Sequence, residues 1–403
     1  MLSKTIWIIA LLLCNIILSA CSVSVDSEQF IIGKKLENTS SVSVNGTEDV
    51  KKVAVYDKTV KRIHQFDITK MEHLGSYAVE NTQVSHYVLS DIDGRYIVDL
   101  SKKGFSIISP IGTVTKDPVT LQGTPVSAAF RPDLGILLIY DDLNNVALLK
   151  ISADGSVASN QKVLLGSYLV NAANITAGDI ADNGKLILSL SDDSIAVVDI
   201  EQTLQQRKWI FTNFTTTLKE ISWVAPIPGN PDQVLLISRS AVALLNVQTQ
   251  TILSKVDASY GSLLKASKDI DPHVIVNTGN DTTMYFVSGG TIQSRTRYLQ
   301  SKNILSSYLD IANDRWSLLD SQDLPLSIFN DPNANDKTKE FKNFRLSDML
   351  ALTTQTLPGK AHLQISRNFI LGLFPSELGY AVRYDIDRDY NKELKYFNMK
   401  HIK

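Results

Sequence analysis

Asp385-Ile386-Asp387-Arg388-Asp389 is the run whose residue types and spacing come closest to metal chemistry. Alternate carboxylates on an extended segment share one face and repel each other, so either a hard cation such as Ca²⁺ or a solvated turn relieves them. The order departs from a helix–loop–helix calcium site: Tyr390 stands where the turn glycine is needed and Tyr396 where a bidentate glutamate belongs. A solvated loop is the plainer reading of Asp385, Asp387 and Asp389, and no cofactor is expected. Asp91 and Asp93 form a shorter version, and Gly94 makes a plain turn sufficient there. The six histidines (His64, His73, His86, His273, His362 and His401) form neither H-x-H nor H-E-x-x-H. His64 and His86 lie inside β-rich runs and read as strand residues. No G-x-S-x-G nucleophile elbow and no glycine-rich phosphate cradle occurs. Trp209, Trp223 and Trp316 could stack on sugars or partner chains, but at strand positions they read first as core. No catalytic constellation is expected.

Cys21 carries the one specific chemical signal. Lys4 precedes an apolar stretch from Ile6 to Leu18, interrupted only by Asn15 and followed by the small residues Ser19 and Ala20. That stretch is too short to span a bilayer comfortably and reads as a leader with a peptidase site. Leu18-Ser19-Ala20-Cys21 resembles the lipobox of bacterial lipoproteins. The resemblance implies that the Cys21 thiol takes a diacylglycerol, that the leader of residues 1–20 is cut, and that the new amine is acylated. Each buried CH₂ contributes about 0.8 kcal/mol, so several acyl chains hold stably. Ser22, where an inner-membrane retention signal would carry Asp, implies the outer membrane if the source is Gram-negative. The alternative is a plain secretory leader with a chance cysteine. Cys14 leaves with the leader, so the mature chain keeps Cys21 alone, without a disulfide or a thiol metal site. Residues 21–40, polar and Ser-rich around Phe30-Ile31-Ile32, read as a tether able to extend some 60 Å at roughly 3.3–3.6 Å per residue.

The elements that follow are β-rich. The chain has 403 residues, 44% hydrophobic, with a formal charge of −2 spread without long runs of one sign. No strong field points to nucleic acid or to an acidic membrane surface. From about Ser41, apolar runs of strand length alternate with polar turns, as in Val53 to Ile68. Turns rich in Asp, Asn, Gly or Pro precede an apolar strand each time, among them Asp182-Asn183-Gly184, Asp269-Ile270-Asp271-Pro272 and Asn313-Asp314-Arg315. Comparable strands start near Val53, Tyr96, Leu137, Leu186, Val234, Val274, Trp316 and Phe369. Their spacing falls near the roughly 40–50 residues of a four-stranded propeller unit.

Ser194 to Phe211 and Ala241 to Val256 look like inner-to-outer strand pairs of β-propeller blades. The units resemble the broad WD40, YVTN and quinoprotein-like class, without the Trp-Asp ends of WD40 repeats or the tryptophan docking signature of quinoprotein blades. The resemblance implies an all-β fold: a β-propeller of about eight four-stranded blades over residues 41–403, with Ser41-Val42-Ser43-Val44 supplying the innermost strand of the first. Seven blades, the first unit sharing a blade with the last, is the alternative, and a β-sandwich pair or a solenoid is the other. The rhythm breaks at an insertion near 330–357, where Ser347 to Leu352 reads as a short helix. It breaks again at Glu201 to Arg207, read as a helical turn or a long polar connection.

The expected function is that of a non-enzymatic protein-binding scaffold. It would be lipid-anchored on the periplasmic face of the outer membrane, with an envelope protein as partner, in the assembly of envelope or secretion machinery. The outer-membrane assembly lipoprotein with an eight-bladed propeller is an analogue in fold and anchor alone. A propeller lyase or hydrolase acting on envelope sugars, and a surface adhesin, are the alternatives. The enzyme requires His, Arg, Tyr and acids clustered at the channel mouth.

Overall fold

The computed structural model describes the strands between residues 25 and 398, most connections from 114 to 321, and most side chains from 105 to 352. Residues 1–24, 31–51, 322–338, 386–394 and 399–403, with several shorter turns, lie outside the described residues. Cys21, Asp387 and Asp389 are among them, while Asp385 ends a strand, Tyr380–Asp385, described at the backbone.

The described strands form eight four-stranded antiparallel sheets, each built from four strands consecutive in sequence. The apolar starts read from the sequence mark the second strand of every sheet: Lys52–Asp57, Ile97–Ser101, Ile136–Asp141, Leu186–Leu190, Asn230–Ile237, His273–Thr278, Arg315–Ser321 and Phe369–Phe374.

Two-sided burial explains why these strands are so apolar. In Ile136–Asp141, Leu137 and Ile139 pack with Phe105 and Ile107 of the preceding sheet, while Ile136 and Leu138 pack with Leu186 and Leu188 of the following one. Ile187 then points the other way, into a cluster with Val234, Leu236 and Ala243 of the fifth sheet. Leu235 and Ile237 meet Val274 and Val276 of the sixth, and Ile275 and Met284 meet Trp316 and Leu318 of the seventh. A strand alternates its side chains between two faces, and here both faces are interior. Its sequence is therefore a continuous apolar run instead of an alternation. Alternation survives at the outer edge, in Thr251–Asp257.

The ring closes on itself. First strands touch the first strands of the next sheet, as Ile175–Ile180 touches Trp223–Ile227, and second strands touch them too, as Leu186–Leu190 does. The first strand of the first sheet, Val25–Phe30, has this same relation to Phe369–Phe374 of the eighth. Each blade is thus complete in itself and no strand is shared, which decides for eight blades over seven. Closure buries the faces of units that could not be stable alone and leaves only short edges.

Three expectations need correcting. The innermost strand of the first blade is Val25–Phe30, paired with Lys52–Asp57, and not Ser41 to Val44, which lie outside the described residues. Of the segment expected as a tether over 21–40, residues 25–30 are this strand, and the rest lies outside the described residues. Residues 339–357, expected within an insertion, supply the third and fourth strands of the seventh blade, Lys339–Arg345 and Ala351–Leu357. The expected helix at Ser347 to Leu352 is the turn joining them and the first strand residues beyond. The Asp348 carboxylate accepts from Arg345 Nη1 at 3.1 Å and from the Leu350 amide at 3.0 Å. Ser347 donates through its amide and hydroxyl to Asp314, both at 2.7 Å. Short polar side chains here satisfy a turn in competition with a helix. The second irregularity is a helix, Ile200–Gln206, capped by Asp199 accepting from the Gln202 amide and closed by Arg207 in the left-handed region at φ 55°.

Because each blade is antiparallel, the molecule has two distinct faces. On the turn face, first-to-second and third-to-fourth connections meet: the Ile151 amide donates to Gly135 O at 2.6 Å, and Leu346 to Asp314 O at 2.9 Å. On the entry face, the segments that lead into each first strand meet the second-to-third turns: Asp142 donates to Thr124 O at 2.9 Å, Ser191 to Asn174 O at 2.9 Å and Arg239 to Lys219 O at 3.0 Å.

Candidate functional site

The inner ends of the blades bring together charged residues that are far apart in sequence. Asp179 lies in the first strand of the fourth blade, Trp223 opens the first strand of the fifth, and Lys268 directly follows the first strand of the sixth, Leu263–Ser267. The Lys268 ammonium sits 3.5 Å from the Asp179 carboxylate, donates to Gly178 O at 3.2 Å and lies 5.7 Å from the Trp223 ring centre. Both charged side chains are under a tenth exposed. One lysine thus reaches across the inner edge of a whole blade and ties three together. Its ammonium meets a carboxylate, a carbonyl and a ring face at once.

A second chain of bonds runs along the turn face. Arg131 ends the first strand of the third blade and donates through Nη1 to Ile180 O at 3.1 Å and to Asp182 at 3.0 Å. Asp182, in the fourth blade's first turn, accepts with its other oxygen from the Gly229 amide of the fifth at 2.7 Å. Asp271 repeats the device, accepting from the Ile311 amide of the seventh blade at 2.7 Å. Around it a buried hydrogen-bond relay joins the sixth and seventh blades. Trp316 Nε1 donates to Ser307 Oγ at 2.9 Å, Ser307 Oγ meets His273 Nε2 at 2.7 Å, and His273 Nδ1 meets Asp271 O at 2.9 Å. The relay is consistent when Nδ1 carries the proton and the serine hydroxyl donates to Nε2. Trp316 and His273 are fully buried.

On the entry face, Asp193 knits the fourth blade to the fifth. Hydrogen bonding from the Glu220 amide at 2.7 Å, then from Lys219 at 3.0 Å, holds its carboxyl below the usual aspartate value. Arg239 pairs with Glu220 beside them at 2.7 Å.

Of the residues singled out in sequence, Trp316 is core, Trp209 is partly buried and donates to Gly166 O at 2.6 Å, and Trp223 joins the inner cluster. His64 and His86 fall in strands, Arg62–Asp67 and Val84–Leu89. Among the described residues, no group of three or more His, Cys, Asp or Glu could hold a metal ion, and no helix is long and apolar enough to cross a membrane. Asp179, Lys268 and Arg131 carried no motif. Asp182 and Asp271 were visible only as turn residues, although an aspartate recurring in the turn before a second strand was the available signal.

No protein-family model matches the chain, and no curated protein matches it. Solved structures do. A dihydro-heme d1 dehydrogenase, NirN, in complex with DHE is 13% identical with a TM-score of 0.60, over 89% of this chain and 74% of that one. AztD from Citrobacter koseri is 13% identical with a TM-score of 0.53, over 87% and 95%. The WD40 domain of SCAP from fission yeast is 11% identical with a TM-score of 0.51, over 85% and 91%. Identities this low carry the fold alone. The chain is a β-propeller, and its inner rim is a set of blade-to-blade staples.

Proposed function

We propose that this propeller is the body of an envelope lipoprotein that works as a non-enzymatic scaffold for a protein partner. Residues 1–20 are its leader and Cys21 its lipid site. It stands on the periplasmic face of the outer membrane and serves the assembly of envelope or secretion machinery. The observation that carries the scaffold reading is the use of charge at the inner rim. Asp179, Lys268, Arg131 and Asp182 are engaged with one another and with the backbone of neighbouring blades. Such bonds stiffen a disc, and a stiff disc presents its loops at fixed positions, which lowers the ordering cost of binding. The leader and Leu18-Ser19-Ala20-Cys21 support the anchor.

The test is crosslinking in cells followed by purification from membranes. The chain is expected to bring down a defined envelope protein in the membrane fraction. Cys21→Ser is expected to move the chain into the soluble fraction with that yield reduced several-fold. Recovery of nothing specific by the acylated chain would overturn the scaffold. So would release of soluble fragments from envelope polysaccharide by the pure protein, which belongs to the enzyme reading.

A further inference from the structure

We infer that the lipid holds the propeller face-down, with its entry face against the bilayer and its turn face turned away. This rests on Cys21 being the lipid site and adds which surface meets the membrane. Val25 begins the first strand of the first blade at the innermost position of the ring, on the entry face. Only residues 22–24 separate it from Cys21, so the link spans at most about 14 Å fully extended.

Reaching the turn face would take a longer path. A strand of six residues is roughly 20 Å long, which is the distance through the central channel. The route around the rim adds three strand spacings of about 4.8 Å to that length. Both exceed the link. With the anchor near the axis and a link no longer than the blade is wide, the disc has room to tilt but not to turn over. The entry face also carries two exposed large hydrophobic side chains suited to a lipid boundary. Leu143, 59% exposed, lies in the second-to-third turn of the third blade, and Tyr298, 65% exposed, follows the last strand of the sixth. Leu350, 51% exposed, stands on the turn face and serves as the reference position.

The test uses the full acylated chain in vesicles of phosphatidylethanolamine and phosphatidylglycerol doped with headgroup-nitroxide lipid. Acylation consumes the Cys21 thiol, so Leu143→Cys and Leu350→Cys each offer a single site for a fluorophore. Tyr298→Cys replaces Leu143→Cys should that variant not fold. Quenching is expected to be several-fold stronger at 143 or 298 than at 350. Equal or reversed quenching would overturn the orientation. A Gly/Ser insert of about 20 residues between Ser24 and Val25, with a root-mean-square reach of roughly 25 Å, is expected to erase the difference. Its persistence would overturn the short link as the cause. Intact mass separates the two readings: a mature chain without acyl groups on Cys21 overturns the lipoprotein itself, whereas an acylated chain quenched at 350 overturns the orientation alone.

Discussion

Lys268 illustrates what a single residue does in this ring and why its role was hidden. Nothing near it in sequence announces a partner, because its partner lies two blades away and only closure of the ring brings them together. Replacing it with methionine leaves the Asp179 carboxylate buried beside a hydrophobic chain. Such a loss costs about 3–5 kcal/mol, whereas removing both charges together is often nearly neutral. Lys268→Met is therefore expected to lower the denaturant midpoint sharply, and Lys268→Met with Asp179→Leu to recover much of it. Equal stability of the single variant and the native chain would show that the pair holds nothing. Asp193 gives a residue-scale pH dependence. Its folded carboxyl titrates below the usual value, chiefly through the Glu220 amide and then Lys219. The stability it contributes is present above the unfolded value, near 3.9, and is lost as pH falls through the folded one. Between about pH 5 and 2 the native chain is expected to lose more stability than Asp193→Asn, measured by urea unfolding at each pH.

At the scale of elements, the second strands were legible because two neighbouring blades demand apolar side chains on both faces. Seven of the eight starts found in the sequence lie within them, and Tyr96 immediately precedes Ile97–Ser101. The same burial sets a prediction. Leu188, 1% exposed between the third and fourth blades, is expected to cost about 2–5 kcal/mol as Leu188→Ala. Leu253, 43% exposed on an outermost strand, is expected to cost under about 0.5 kcal/mol as Leu253→Ala. Equal losses in calorimetry would contradict the two-sided packing. The first strand was illegible for the complementary reason. Val-Asp-Ser-Glu-Gln-Phe lacks an apolar pattern, while Ser41 to Val44 alternates neatly. The strand's place comes from pairing with Lys52–Asp57 and from the closing contact with the eighth blade. Periodicity within a short window cannot report a partner some 340 residues away. Ser347 to Leu352 misled in another way, since a serine and an aspartate that suit a helix cap suit a turn equally when Asp314 and Arg345 supply its bonds.

At the scale of the whole molecule, the position of the first strand joins the fold to the proposed anchor. A tether of some 20 residues would let the disc sample any orientation above the membrane. On the proposed anchor, a link of three residues would fix one face toward the lipid and leave the other for a partner. Everything in this picture depends on Val25–Phe30 being seated in the ring. Hydrogen exchange on the full chain, read by mass spectrometry at the peptide covering residues 25–30, tests it most directly. Amides of this segment are expected to exchange far more slowly than those of a free peptide, in step with those of Lys52–Asp57. Exchange as fast as an unstructured chain would contradict the seated strand and with it the proposed face-down orientation.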